Sequence, residues 1–215
     1  MQKVSPKTIG RLSLYRGLLE NLRQDGNSTV FSHELAAAAN CSAAQVRRDL
    51  MSIEYSGSPV HGYQVTELID RIDIFLDRPE GTNVALVGVG NLGRAVLDYF
   101  RARRPKISIV AAFDINENKT DRVILGCPVY PMSRLADIVT AKNILVGIVT
   151  VPAASAQQVA ERLIRADVKG ILNFAPIRLK VPHHVYVEDV DITMCLEKVA
   201  YFSWLRTEER GVRAS

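Results

Sequence analysis

The run Gly88-Val89-Gly90-Asn91-Leu92-Gly93 sets three glycines at the spacing of a phosphate-cradling turn. Gly88 would permit the tight turn. Gly90 would let backbone approach a pyrophosphate with no Cβ in the way, and Gly93 would let the next helix pack close to the preceding strand. The first amides of that helix would face the phosphates. Asp114 ends the next apolar run, a little beyond the usual spacing of about 20 residues. A carboxylate there accepts from a ribose hydroxyl and repels a 2′-phosphate, and Ile115-Asn116 offers no arginine to such a phosphate. This favours NADH or NAD+ over NADP(H). A coenzyme A or S-adenosylmethionine site, or a turn without a ligand, fits the same glycines.

A second group could read nucleic acid. Ser42 and Ala43 open a short helical pattern that carries Gln45, Arg47 and Arg48 outward and Val46 and Leu50 inward. Gln pairs two-fold with adenine and Arg two-fold with guanine in a major groove. The segment also fits a plain helical hairpin whose arginines sit in water. Groups for turnover are missing from the pattern. His33 and His61 fall in the first third, His183-His184 follow Pro182 as turn residues, and Cys127 reads as strand-edge packing. With no nucleophile–base pair, and too few residues after Pro176 for a substrate domain, we expect binding without catalysis: not an enzyme.

Around the helix with Gln45 the pattern is helix, turn, helix, then a short hairpin. Ile9, Leu12, Tyr15, Leu18, Leu19 and Leu22 recur at helical spacing. Ser32 would cap a helix to Ala39, Asn40-Cys41 would turn, and Ser42 would cap a third helix to Ser52 with Gln45 as its capping-box partner. Tyr55 and Val60 flank Gly57-Ser58-Pro59 as a short hairpin, and Val65–Leu76 forms an amphipathic helix. Asp77 to Gly81 is the expected boundary. Beyond it, strands (84–87, 107–113, 144–150, 170–174) alternate with helices (92–103, 153–166), which means a parallel sheet covered on both faces. Val185-Tyr186-Val187 and a helix from Ile192 to Arg206 close the chain. The fold class expected is α/β: a winged helix-turn-helix (1–80), a Rossmann-type sheet (81–188) and a C-terminal helix (189–215).

The bulk numbers agree. Of 215 residues, 47% are hydrophobic and 23% charged, which permits a packed core. The net charge of +4 is only a mild sign of a polyanionic partner. Among the first 53 residues Lys3, Lys7, Arg11, Arg16, Arg23, Arg47 and Arg48 outnumber Glu20, Asp25, Glu34 and Asp49. Cys41, Cys127 and Cys195 are far apart, so neither a disulfide framework nor a metal centre is expected. No leader-like or membrane-spanning apolar run is present, and a cytoplasmic location is expected.

Together, Gln45-Val46-Arg47-Arg48-Asp49-Leu50, Gly88 to Ala95, Ala112-Phe113-Asp114, Thr150-Val151-Pro152-Ala153, Lys169-Gly170-Ile171-Leu172-Asn173-Phe174-Ala175-Pro176 and Val190-Asp191-Ile192 resemble the Rex redox-sensing transcriptional repressors of bacteria. The resemblance covers nearly the whole chain. It implies a homodimer that binds double-stranded operator DNA, an inverted repeat, and is released by NADH, with the last helix exchanged between subunits. It places Gly88, Val89, Gly90, Asn91, Leu92 and Gly93 on the pyrophosphate and Asp114 on the adenosine ribose. Thr150, Val151, Pro152, Asn173 and Phe174 fall toward the nicotinamide, and Ser42, Ala43, Gln45, Arg47 and Arg48 on the DNA. Tyr99 and Asp191 match interdomain switch positions. Three places depart from the family pattern: Met51-Ser52-Ile53-Glu54 replaces an aromatic, glycine-rich segment, Ser58-Pro59-Val60 replaces a cationic wing, and Gly17 stands where some members carry arginine. Losing two wing cations lowers the salt slope of DNA binding by about two. The alternative is a relative that senses NAD(H) but signals through another partner.

Overall fold

The computed structural model of the chain describes residues 4–58, 60–101 and 106–212, with side chains as far as Arg206. Two compact units divide at Glu80 and Gly81.

In the first unit, α1 (Pro6–Gln24) opens with proline in its first turn, behind Ser5, whose hydroxyl accepts the Thr8 N–H. Its inward face is Leu12, Tyr15, Arg16 and Leu19. Ile9, expected on that face, is 38% exposed, and Arg16 takes a buried place instead. Its guanidinium reaches Asp73 and Asp77 at 2.8 and 3.0 Å, on and just beyond α4 (Val65–Leu76). Helices α2 (Ser32–Ala38) and α3 (Ala43–Met51) are joined through Asn40, whose φ of 50° makes the tight turn. Ser32 is not the cap of α2. Phe31 holds that position, and its N–H donates to the Glu34 carboxylate at 2.7 Å. The expected hairpin differs too. Strand β2 (Tyr63–Gln64) pairs antiparallel with β1 (Thr29–Val30), and the wing closes in a Ser58–Gly62 bridge stitched by the Ser58 hydroxyl. Pro59 lies outside the described residues.

The second unit is a seven-stranded sheet. Its strands are β3 (Thr82–Val87), β4 (Ile107–Asp114), β5 (Arg122–Ile124), β6 (Cys127–Pro131), β7 (Ile144–Val149), β8 (Gly170–Asn173) and β9 (Tyr186–Asp189). Their order is β5-β6-β4-β3-β7-β8-β9, parallel except for β5. The strands are apolar at successive positions because both faces are covered. Ala85 and Val87 face one core with α6 (Leu135–Ala141) and α7 (Ala153–Arg165). Val84 and Leu86 face the other, with α5 (Asn91–Phe100). Strands β5 and β6 and helix α6 are elements that the alternation pattern missed. Helix α5 closes at Arg101, and its expected end, Arg103, lies outside the described residues. Helix α8 (Ile192–Val212) runs past its expected end at Arg206.

The chain reverses direction across the sheet between β3 and β7, so the crevice at their carboxyl ends is where a ligand can reach backbone. Register brings three chain ends to that edge. Val87 pairs with Phe113 on one side and Val149 on the other, so Gly88, Asp114 and Thr150 emerge together. There the packing is tight: a Cβ on Gly93 would stand 2.0 Å from the Gly88 carbonyl oxygen. Gly93→Ala should therefore cost roughly 1–3 kcal/mol. Thermal unfolding checks this, and an unchanged Tm would show that α5 can shift without loss.

Candidate functional site

The crevice of the second unit is built around Gly88, held at φ 100° where a Cβ would strike the Thr150 carbonyl. Thr150 reaches back, with its hydroxyl 2.8 Å from the Gly88 carbonyl and 3.0 Å from that of Val87. Gly90 is the N-cap of α5 and makes no side-chain cap. Nothing lies within 4 Å of a Cβ placed on it, so the space above this turn is open. The first α5 bond runs from the Arg94 N–H to the Gly90 carbonyl, and the first turn carries no acid. Asn91 and Leu92 are exposed. An anion placed over Gly90 would meet the amides of a helix start and its positive dipole end. Val89, by contrast, is fully buried under the turn.

Asp114 is 7% exposed and already works on the turn. Its Oδ2 accepts the Val89 N–H at 2.8 Å and its Oδ1 accepts the Asn116 N–H at 2.9 Å. Burial opposes its ionisation, but these two amides and Lys119, whose Nζ lies 3.3 Å from Oδ2, hold the carboxyl below its ordinary value of 3.8. Oδ1 keeps a second lone pair for a hydroxyl donor. Lys119 is not legible from local pattern, because it meets Asp114 only once the chain folds back five residues on. A 3-10 turn carries it there.

The remaining positions divide. Val151 and Pro152 lead into α7, and Pro152 is its N-cap. Asn173 is 1% exposed and fully engaged. Its amide donates to the carbonyls of Ala175 and Ile177 and to Asp189, and its carbonyl accepts the Ala175 N–H. It shapes the loop after β8, where Phe174 is half-buried. Tyr99 stands half exposed on α5, edge-on to Phe100. Asp191 caps α8, with Oδ1 accepting the Met194 N–H at 2.8 Å. Burial pushes the Cys127 thiol up to about 11, so it stays protonated and unreactive at neutral pH. Among the described residues, no three His, Cys, Asp or Glu gather to hold a metal, and no helix is long and apolar enough to cross a membrane.

In the first unit, α3 begins as expected at Ser42, whose hydroxyl accepts the Gln45 N–H at 3.2 Å. The capping box does not close. The Gln45 amide turns the other way and donates from Nε2 to Asp49 Oδ1 at 2.8 Å. Asp49, absent from the sequence reading of the site, is its buried centre at 2% exposure. Arg11 grips it with two N–H groups, at 2.6 and 2.8 Å, and the Tyr15 hydroxyl donates to it at 3.0 Å. Burial raises the cost of its charge, and the donors from Arg11, Gln45 and Tyr15 outweigh that cost, so its carboxyl also titrates below 3.8. The Tyr15 hydroxyl is correspondingly pushed up by burial and by its bonds to Cys41 and Asp49. Arg47 and Arg48 are exposed, and Arg47 donates to the Ser32 hydroxyl at 3.1 Å. Ser42 is exposed and Ala43 is half-buried.

A group whose folded pKa is depressed stabilises the fold above its unfolded value and loses that contribution as pH falls through the folded one. Asp49 and Asp114 should therefore make both units acid-sensitive below about pH 4. Circular dichroism across an acid titration checks this. Asp49→Asn should flatten the acid limb of the first unit, and an unaltered limb would remove Asp49 as its cause.

The sequence and fold have close counterparts. Residues 3–50 match a family described as putative DNA-binding protein N-terminus, and residues 79–177 match one described as CoA binding domain. The chain is 40% identical to the redox-sensing transcriptional repressor Rex of Bacillus licheniformis, over 93% of both proteins. It is 38% identical to that of Leuconostoc citreum over the same shares. Among solved structures, RSP, a Rex-family repressor, in complex with β-NAD+ and operator DNA superposes with a TM-score of 0.87 at 31% identity, covering 100% of this chain and 99% of that one. RSP in complex with β-NADH gives 0.85 at 32% identity over the full length of both. With a glycine turn open to phosphate in one unit and a helix-turn-helix in the other, the chain belongs to the Rex family of redox-sensing transcriptional repressors.

Proposed function

We propose that the protein is an NADH-sensing repressor that binds an inverted-repeat operator as a homodimer and leaves it when NADH binds. The observation that carries this reading is the open, uncapped start of α5 over Gly90, beside a buried carboxylate with a lone pair to spare, in a chain that also bears a helix-turn-helix. Residues 1–80 read DNA, 81–188 bind NADH or NAD+, and 189–215 join the subunits. The pyrophosphate lies over Gly88–Gly93 against the amides of Asn91 and Leu92, and the adenosine ribose donates to Asp114 Oδ1. Thr150, Val151, Pro152 and Phe174 border the nicotinamide end, while Asn173 shapes that wall. When bound, the dinucleotide supplies a redox state to be read, neutral nicotinamide in NADH and cationic in NAD+. The chain's own groups bind and transmit it. Tyr99 and Asp191 are the switch pair, and because Asp191 caps α8, a new partner for it is felt at the first turn of that helix.

Helix α8 supports the dimer. Every described side chain from Asp191 to Trp204 is exposed, with Leu196 at 67%, Val199 at 63% and Phe202 at 59%. Such a face needs a partner subunit.

A second reading has one observation in its favour. The wing, residues 53–65, holds Glu54 and neither lysine nor arginine. A sensor that signals through another protein would tolerate that loss.

Fluorescence anisotropy with DNA from upstream of its own gene separates the readings. Specific binding that NADH abolishes and NAD+ spares is expected, with coenzyme A without effect. Tight NADH binding by calorimetry with no sequence-specific DNA binding favours the second reading. Asp114→Ala should weaken NADH roughly tenfold or more, the loss of one charge-assisted hydrogen bond. Leu196→Glu combined with Phe202→Glu should turn the dimer into a monomer by sedimentation, and a persisting dimer would place the interface elsewhere.

A further inference from the structure

Glutamine is an ambiguous reader. Its carbonyl accepts and its amide donates, and turning the group over exchanges them, so a free Gln can meet adenine or guanine. Gln45 lacks that freedom. It lies on the first turn of α3, the part of a recognition helix that meets base edges. Its side chain lines an open groove of about 510 Å³, together with Ser5, Thr8, Arg48 and Met51. Its Nε2 is bound to Asp49 Oδ1 at 2.8 Å. An ionised carboxylate only accepts, so the atom facing it must be the nitrogen. Asp49 is ionised and cannot turn away, because Arg11 grips both its oxygens and Tyr15 donates to one of them. With the nitrogen pinned toward Asp49, Oε1 occupies the opposite corner of the amide, uncommitted among the described residues.

We infer that Gln45, oriented by Asp49, presents its carbonyl oxygen to the groove and selects a base bearing an exocyclic amino group, adenine through N6 or cytosine through N4, against guanine and thymine. This rests on the proposed reading of the first unit as a DNA reader. Guanine and thymine both offer carbonyl acceptors at that place in the major groove, so each sets oxygen against oxygen. Asp49 touches no base. It is a positioning residue, and what it sets is which way the amide faces.

The test is a selection from randomised duplex DNA with the full-length protein, repeated with Gln45→Met, which keeps the shape of the side chain and removes its hydrogen bonding. The wild type should enrich one inverted repeat. The variant should lose preference at one position in each half-site, and the wild-type base there should be adenine or cytosine. Replacing that base by its analogue without the amino group (2′-deoxynebularine for adenine, the 2-pyrimidinone deoxynucleoside for cytosine) should weaken wild-type binding roughly five- to 150-fold and leave the variant unaffected. Asp49→Asn, in which the amide can turn over, should admit guanine or thymine at that position, with NADH binding retained. Its circular dichroism and melting curve establish that it folds. If Gln45→Met changes no position, or the position it changes prefers guanine or thymine, the inference is overturned. If the wild type enriches no sequence, the DNA-reading function fails first and the inference falls with it.

Discussion

The second unit depends on how closely α5 can approach the end of β3. A parallel strand that runs straight into a helix must turn within a few residues, and the helix must then lie on the sheet. Gly93 makes that contact possible, because any side chain there would occupy the position of the Gly88 carbonyl. The approach has three consequences. It brings the helix start to the carboxyl edge of the sheet, it leaves the space over Gly90 open, and it sets Val89 beneath Asp114. Thr150 and Asp114 then brace the turn from the two neighbouring strands.

Asp49 has a comparable role in the first unit. A carboxylate buried to this degree is costly unless donors surround it. Here they come from α1 and α3, so meeting the cost of the charge also fixes α3 against α1. Hydrophobic packing of Val46 and Leu50 alone would hold the helix but leave its polar face free to rotate about its rotamers. In both units, then, one buried carboxylate holds a polar group in a single orientation: the Val89 amide for Asp114 and the Gln45 side chain for Asp49.

The departures from the family pattern gain meaning in this setting. Arg16, next to the position where some members carry arginine, is drawn inward to Asp73 and Asp77 and belongs to the internal bracing of its unit. The open flank at Gly17 carries no side chain, and a Cβ there would meet nothing within 4 Å. The wing is closed by the Val60 and His61 amides donating to the Ser58 hydroxyl and by the tilted contact of Tyr55 with Tyr63, rather than by a charged tip. The wing sequence, residues 53–65, offers a polyanion neither lysine nor arginine.

The sequence carries what local chemistry dictates: the glycine turn, Ser42 as a cap, the helix-turn-helix spacing and the alternation of strand and helix. Each is set by a few neighbouring residues and their conformational preferences. It missed β5, β6 and α6, where short segments carry no clean period, and it placed the α2 cap one residue late because Glu34, not a hydroxyl, satisfies the Phe31 amide. Which polar groups meet is settled by packing between distant segments. Asp49 reads as an ordinary surface acid until Arg11 and Tyr15 arrive from another helix. Asn173, expected toward the nicotinamide, is found with its amide on three partners of its own unit. Lys119 is unremarked until the chain folds it back on Asp114. The physical reason is that period and propensity act within a turn or two of chain, whereas the partner of a buried charge is chosen by packing between residues far apart in sequence.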